Sequence, residues 1–188
     1  MIHLAVAQVV QEANAYINLR APGGVGAPTD RVVSASLFKL DGTLDTNVRN
    51  RVVVQVVNVE KNTVYRSMET TRVRPDGVYE RVNPSVRVNA YVLFIANFDD
   101  YTEALKSISL VMAFFQNRYT FEVPNNGSGT QHLVFDLHSL TFEELNHLWA
   151  SLGAKYMPSV VYKAAILDIQ DWQMDAEVPP VQEISTQG

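Results

Sequence analysis

The fold is decided by residues Asn83–Arg118, NPSVRVNAYVLFIANFDDYTEALKSISLVMAFFQNR. The strand predicted over Val86–Phe98 is apolar on both faces at its centre, which is typical of a strand in the middle of a sheet. Asp100 and Glu103 then form a capping-box pattern, in which each side chain bonds a backbone N–H of the other's turn. The pattern predicts a helix that begins after Asp100 and ends near Arg118.

This helix is apolar on two opposite faces. One face is a continuous stripe, predicted to cover the sheet, that consists of Tyr101, Ala104, Leu105, Ile108, Val111, Met112, Phe115 and Tyr119. At about 100° per residue, Leu110 and Phe114 point the other way. An outer apolar patch must be covered or must bind something. Either the N-terminal helix covers it, or Leu110 and Phe114 lie at a subunit interface.

The remaining pattern works outward from this centre. An amphipathic helix is predicted over residues 2–19, and the Pro- and Gly-rich stretch 21–30 ends it. Strands are predicted over Val32–Leu40, Arg51–Val59 (buried on both faces), Val64–Val73, Val78–Val82, His132–Leu140 and Val160–Ile169, with a second capped helix from Thr141 to Leu152. The order predicts the α+β class: a mixed, largely antiparallel sheet with two to three packed helices.

Two regions are predicted from this order. Residues 1–174 form one domain, and residues 175–188 lose periodicity and form a flexible C-terminal tail. No apolar run approaches the roughly 18 residues that a membrane span needs, so membrane insertion is not expected. The chain has no cysteine, which excludes disulfides and thiol chemistry.

Charge is unevenly distributed along the chain. Residues 39–90 carry a net charge of +3 and residues 91–188 a net charge of −8. Opposite charges on the two halves favour head-to-tail association of identical subunits, although the distribution also fits solvated faces. Overall acidity argues against nucleic acid as a partner.

A predicted hairpin around Pro75-Asp76-Gly77 carries four arginines: Arg66, Arg72, Arg74 and Arg81. We predict that these arginines contact a neighbouring subunit or another protein of an assembly. The alternative is a solvated hairpin whose charges keep its edge strands from pairing.

The residues that invite a chemical interpretation have structural explanations. His132, Asp136 and His138 share one strand face, but their spacing supplies too few ligands for a metal site. The acid pairs Asp99-Asp100 and Glu143-Glu144 lie where helix N-termini favour negative charge. The sequence therefore predicts no catalytic residue, no metal site and no cofactor. An enzyme or a ligand-binding module with the same fold remains the competing class.

Three phrases of the sequence carry a family resemblance: NPSVRVNAYVLFIANFDDYTEALKSIS, FFQNRYTF and LTFEELNHLWASLGAKYMPSVVYKAAIL. They resemble the strand-and-helix, the helix end and the closing segment of the cap, or tail-terminator, proteins of contractile phage-tail-like injection systems. The last phrase is the more specific, with Trp149, Leu152, Gly153, Tyr156, Pro158, Ser159 and Tyr162 in the pattern. The similarity covers most of residues 1–172.

The resemblance implies a structural protein rather than an enzyme. Such caps form a ring, expected to be sixfold, on the end of the inner tube distal to the baseplate. For this chain, the resemblance implies three partners: further copies of itself, the inner tube protein and the sheath protein. It also implies a particle that is assembled in the cytoplasm. The alternative within the same machine is a tube-initiation or baseplate adaptor.

Overall fold

The structure is a computed structural model that describes residues 2–21, 29–39, 41–62, 71–73, 79–81, 86–124, 130–169 and 176–178. A short 3-10 helix at Thr46–Val48 lies between the first and second strands. The helices and strands, in chain order, are α1 Ile2–Arg20, β1 Val32–Ser34, β2 Arg51–Lys61, β3 Thr71–Val73, β4 Tyr79–Arg81, β5 Val86–Asn97, α2 Tyr101–Asn117, β6 Thr120–Pro124, β7 Thr130–His138, α3 Phe142–Leu152, β8 Ser159–Ile169 and β9 Ala176–Val178.

The apolar run that was predicted to lie mid-sheet is the inner strand β5 of a six-stranded sheet in the order β1-β2-β5-β8-β7-β6. In this sheet the β1–β2 pair is parallel and the other pairs are antiparallel. Together with the three described helices, this architecture confirms the predicted α+β class. A separate sheet has the order β3-β4-β9.

Two apolar layers cover the six-stranded sheet because alternate residues of a strand point to opposite faces. On one face, Val92 and Phe94 of β5 join the main core beneath α1 and α2. On the other face, Leu93 and Ile95 pack with Trp149 of α3. Helix α1 contacts both outer strands, β1 and β6, as well as α2.

The cap of α3 follows the predicted chemistry in full, whereas at α2 only the Asp100 half of the predicted capping box is formed. Asp100 accepts hydrogen bonds from the backbone N–H groups of Thr102 and Glu103 and so begins α2. Glu103 itself accepts from Lys106 Nζ at 2.7 Å. Thr141 and Glu144 form the complete reciprocal box of α3, and Gly153 ends that helix in the left-handed conformation with φ of 65°.

Three strand predictions need correction. The strand predicted over Val32–Leu40 ends at Ser34, and Phe38 instead forms an isolated bridge with Leu44. Strand β2 is buried on both faces only at Val52–Val54, and its later residues are partly exposed because β1 no longer flanks them. Leu137 of β7, predicted on a buried side, is 51% exposed because the β6–β7 pairing ends at Val134.

The end of the chain also differs from the sequence prediction. Three residues of the predicted flexible tail, Ala176–Val178, form strand β9 and pair antiparallel with Tyr79–Arg81 of β4. Backbone hydrogen bonding to a strand far away in the sequence leaves no local periodicity, so sequence pattern alone missed it. The rest of the tail lies outside the described residues, and the domain boundary after residue 174 stays a prediction.

Candidate interaction surfaces

The two faces of α2 are not arranged as predicted. Phe114 is 3% exposed and packs into the core, with its ring centroid 5.7 Å from that of Tyr16 in α1. Leu110 is partly buried against the same core. The expectation that Phe114 points outward is therefore wrong, and the alternative that the N-terminal helix covers this patch is confirmed. A contact role for Leu110 stays a prediction.

The stripe predicted to cover the sheet is split. Ala104, Ile108, Val111 and Phe115 are buried as expected. Four members of the stripe are exposed instead: Tyr101, Leu105, Met112 and Tyr119. Because α1 covers the Phe114 side of α2, the buried surface of this helix includes that side, and the opposite edge faces away from the core. An exposed apolar strip therefore runs along α2 on the side away from α1.

A groove of about 540 Å³ lies between this strip and the end of β7. Its apolar lining includes Met112 from α2 and Leu137 from β7, and its floor includes Phe135 and Tyr162. Burial in this aromatic core raises the pKa of Tyr162 to about 12. Strand β8 pairs with one side of β7. On the other side, no described strand pairs with β7 beyond Val134.

A second groove, of about 460 Å³, lies at the opposite side of the sheet, where β1 ends beside β2 and α3. Leu148 and Leu152 supply its apolar side, and Ser34, Ser36 and Ser151 lie on its rim. Gln55 lines this groove, and its buried side-chain oxygen Oε1 has no hydrogen-bond partner among the described residues. A buried acceptor without a donor is costly, so a partner that supplies one would be favoured here.

Polar side chains form a connected network on the α3 face of the sheet. Glu60 Oε1 accepts from Lys163 Nζ and from Asn89 Nδ2, each at 3.0 Å. These bonds, with one from Tyr91, hold the pKa of Glu60 at about 2, well below its usual value. The hydrogen bond between Lys163 and Glu60 also raises the pKa of Lys163. The network joins side chains of three adjacent strands, β2, β5 and β8.

The histidines singled out in the sequence contribute no metal site among the residues that the structure describes. The Nδ1 atom of His132 lies 3.9 Å from the carboxylate of Glu122, and both side chains are exposed. His138 packs edge-on against Tyr91, with ring centroids 4.9 Å apart. Asp136 is exposed between them. This strand face is polar, with His132 and Asp136 exposed and His138 half-buried.

The arginine hairpin is described only in part. Its strands β3 and β4 pair antiparallel, as predicted. In this register Arg72 lies opposite Glu80, and Arg81 lies opposite Thr71. Arg66 and Arg74 lie outside the described residues. The predicted contact role of all four arginines is not tested by this arrangement.

The fold and the described surfaces together indicate the class of protein. Strand edges and apolar grooves lie at two sides of the sheet. The acid pairs have structural roles: Asp100 and the Glu143-Glu144 pair lie at helix starts, and Asp99 accepts hydrogen bonds from Arg49 Nε at 2.9 and 3.0 Å. In the described part of the chain, no helix is long and apolar enough to span a bilayer. The described residues therefore form an α+β module with two apolar grooves and partly uncovered strand edges.

The chain belongs to the Pvc16 N-terminal domain family, whose sequence profile matches residues 10–183. The match confirms the family resemblance predicted from the three phrases of the sequence, and it extends past the predicted boundary at residue 174. No curated protein sequence matches the chain.

Two solved structures share the fold. One is the sheath/tube terminator of an extracellular contractile injection system, PVC, in its extended state, with a TM-score of 0.57 and 15% identity over 95% of this chain. The other is the tube-terminating cap of the anti-feeding prophage, with a TM-score of 0.61 and 16% identity over 98% of this chain. The chain spans 62% and 60% of the length of these two proteins.

Proposed function

We propose that this protein is a structural cap of a contractile injection system, which closes the distal end of the inner tube, ends its growth and links the tube to the sheath. The observation that carries the proposal is the family match over residues 10–183, supported by the fold shared with two proteins described as terminators. Neither of those proteins is described as an enzyme. The proposed role is accordingly non-enzymatic.

The proposed partners are copies of the same chain, the inner tube protein and the sheath protein. We propose a closed ring, expected to be sixfold, assembled in the cytoplasm as part of the particle, without nucleic acid or a membrane as partner. Rings form when one surface of a subunit meets a different surface of the next. The two grooves at opposite sides of the sheet, and the opposite net charges of residues 39–90 and 91–188, suit such a contact.

Electron microscopy of particles made with and without this chain tests the proposal. A terminator predicts over-long, uncapped or unstable tubes when the chain is missing, because growth then has no stop. Failure to start tubes would instead support a tube-initiation or baseplate adaptor. Normal particles in its absence would contradict both roles.

The arginine hairpin is the proposed contact with a neighbouring subunit or the tube rim. Changing Arg72→Glu and Arg74→Glu together reverses charge at a stretch of the hairpin while leaving the residues of the six-stranded sheet unchanged. We expect fewer closed rings and a broader distribution of tube lengths. Unchanged rings and lengths in electron micrographs would remove the hairpin from the contact and leave the cap role standing.

A further inference from the structure

We propose that the open part of β2 in one copy pairs antiparallel with the open end of β7 in a second copy, so that the sheet continues from subunit to subunit. The inference rests on the proposed ring and names the surface that closes it. The partner is a second copy of this chain, and the contact is centred on Val56 of one copy and Leu137 of the next.

Both strands have an edge that their neighbours cover only in part. Strand β1 pairs with β2 at Val52–Val54, whereas β2 continues to Lys61 with no other described strand on that side. Strand β6 pairs with β7 up to Val134, and one further bond joins Phe135 N–H to Tyr119 O at 2.8 Å. Beyond that bond, β8 is the one described strand beside β7. Open strand edges are templates for pairing with another chain.

The two open segments overlap over three rows of the sheet, beyond which Phe135 is already bonded to Tyr119. Following the register across β5 and β8, one row joins Gln55, Leu93, Val161 and His138. The next row joins Val56, Val92, Tyr162 and Leu137, and a third joins Asn58, Tyr91, Lys163 and Asp136. Successive antiparallel pairs leave β2 and β7 running in opposite directions. A second copy placed side by side therefore brings β7 against β2 antiparallel and without sliding.

The hydrogen-bonding phase of the two edges also agrees. Val52 N–H donates outward to Arg31 O at 2.7 Å, so Val56, four positions on and before the bulge, faces the same way. Phe135 N–H donates outward to Tyr119 O, so Leu137 also faces outward. Val56 and Leu137 occupy one row, and directly opposite residues of this kind exchange both backbone hydrogen bonds in an antiparallel pair.

The side chains in each row are compatible on matching faces. Val56 and Leu137 are exposed apolar residues, 37% and 51% accessible, on the face of α1 and α2. On the α3 face, exposed Asn58 meets exposed Asp136, which allows an amide to donate to a carboxylate. Gln55 Oε1, buried without a partner, meets His138, whose ring nitrogen can donate to it. The contact thus supplies a donor that the described part of the single chain does not provide.

An extended segment of another protein is the competing occupant, because single edges bind such strands in many complexes. The second copy is favoured since both edges belong to the same chain and agree in level, direction, phase and side-chain chemistry. Two different edges also make a head-to-tail contact, which closes into a ring when the rotation closes.

Engineered cysteines test the pairing directly in a chain that has none of its own. Gln55→Cys and His138→Cys together place two thiols in one row, where Cα atoms of a non-hydrogen-bonded pair lie about 4.5 Å apart and allow a disulfide. Within one chain the two positions are three strand spacings apart, about 14 Å, which is too far to bridge. We expect mild oxidation to yield covalent multimers up to the size of the ring on a non-reducing gel.

The controls separate this inference from the proposed function. Each single cysteine variant, and Gln55→Cys combined with Glu122→Cys on β6, should give no multimers beyond dimers. Rings or capped tubes without a covalent ladder would overturn the β2–β7 pairing and leave the cap role intact. A ladder from chains that never cap tubes would support the pairing and contradict the cap. Cross-linking of a single variant to another particle protein, without a ladder, would also overturn the pairing.

A second pair of variants does not depend on disulfide formation. Leu137→Lys introduces an ammonium at the centre of the contact, and Leu44→Lys makes the same change at an equally exposed leucine elsewhere, since both are 51% accessible. We expect Leu137→Lys to raise the concentration needed for half-assembly on the order of tenfold or more, and Leu44→Lys to leave it unchanged. Equal assembly of both variants in sedimentation experiments, with unaltered melting, would contradict the pairing.

Discussion

The two sides of helix α2 have similar composition but different surroundings. On one side, Phe114 lies under α1, with its ring also 4.9 Å from that of Phe115. On the other, Tyr101, Leu105 and Met112 face away from the core. Apolar periodicity identifies both sides as apolar and cannot say which of them another helix covers. The covered side contributes to the core, whereas the exposed side contributes little to it. Changes on the two sides should therefore have separable effects.

The largest expected difference is between Phe114→Ala and Met112→Ala. Phe114→Ala removes a buried ring from the aromatic cluster, and we expect the free energy of unfolding to fall by about 3–5 kcal/mol. Met112→Ala removes a partly exposed side chain and should cost less than about 1 kcal/mol. Urea unfolding of the two purified variants measures both values. Equal losses would mean that α1 does not cover the Phe114 side.

The next effect concerns how α1 is held against the sheet. The carboxamide of Asn14 donates to Val32 O at 2.7 Å and accepts from Val32 N–H at 2.8 Å, so α1 bonds the edge of β1 from the side. We expect Asn14→Ala to cost about 1–3 kcal/mol, because it leaves two partly buried backbone groups without partners. Asn18→Ala removes one exposed bond to Thr29 O and is the matched control. A control that destabilises as much as Asn14→Ala in thermal melts would contradict this role of Asn14.

A smaller effect is expected where α1 meets the end of α2. Arg118 Nη1 lies 2.6 Å from Glu12 Oε2, and the arginine side chain is half-exposed. We expect Glu12→Gln to lower stability by about 0.5–1 kcal/mol, and the difference from the unmodified chain to shrink in high salt. Denaturant midpoints at low and high salt measure it. A loss that is independent of salt would point to packing instead of charge.

The smallest effect on stability is expected in the polar side-chain network around Glu60. The pKa of Glu60 falls from 4.5 to about 2 on folding, so its ionised form stabilises the folded state above pH 4.5 and this stabilisation is lost as the pH falls toward 2. Glu60→Gln should flatten the pH dependence of stability between about pH 2 and pH 4.5 and leave the pH dependence above pH 4.5 unchanged. Melting temperatures of both chains between pH 2 and pH 6 measure the difference. Parallel pH profiles would show that Glu60 makes no such contribution.

Local chemistry made much of the fold predictable. Capping residues such as Asp100 and Thr141 act within one turn of their own helix, so their sequence pattern was sufficient. The central position of β5 followed from its apolar run. The position of α1 over Phe114 and the pairing of β9 with β4 depend on segments that are distant in the sequence, and no local pattern contains that information.

The candidate surfaces were harder to predict for the same reason. The exposed segment of β2 has the β-branched composition of a buried strand, and its exposure follows from where β1 ends. Leu137 likewise belongs to a buried alternation, but the β6–β7 pairing stops at Val134. Open edges are defined by what neighbouring strands leave uncovered, so they emerge from the register of the sheet.

Locating the chain on intact particles tests the cap proposal most directly. An epitope tag on this chain, with gold-labelled antibody in negative-stain electron microscopy, shows which end of the particle carries it. We expect label at the end of the tube opposite the baseplate, with one cluster per particle. Label at the baseplate end, or along the length of the tube, would contradict it.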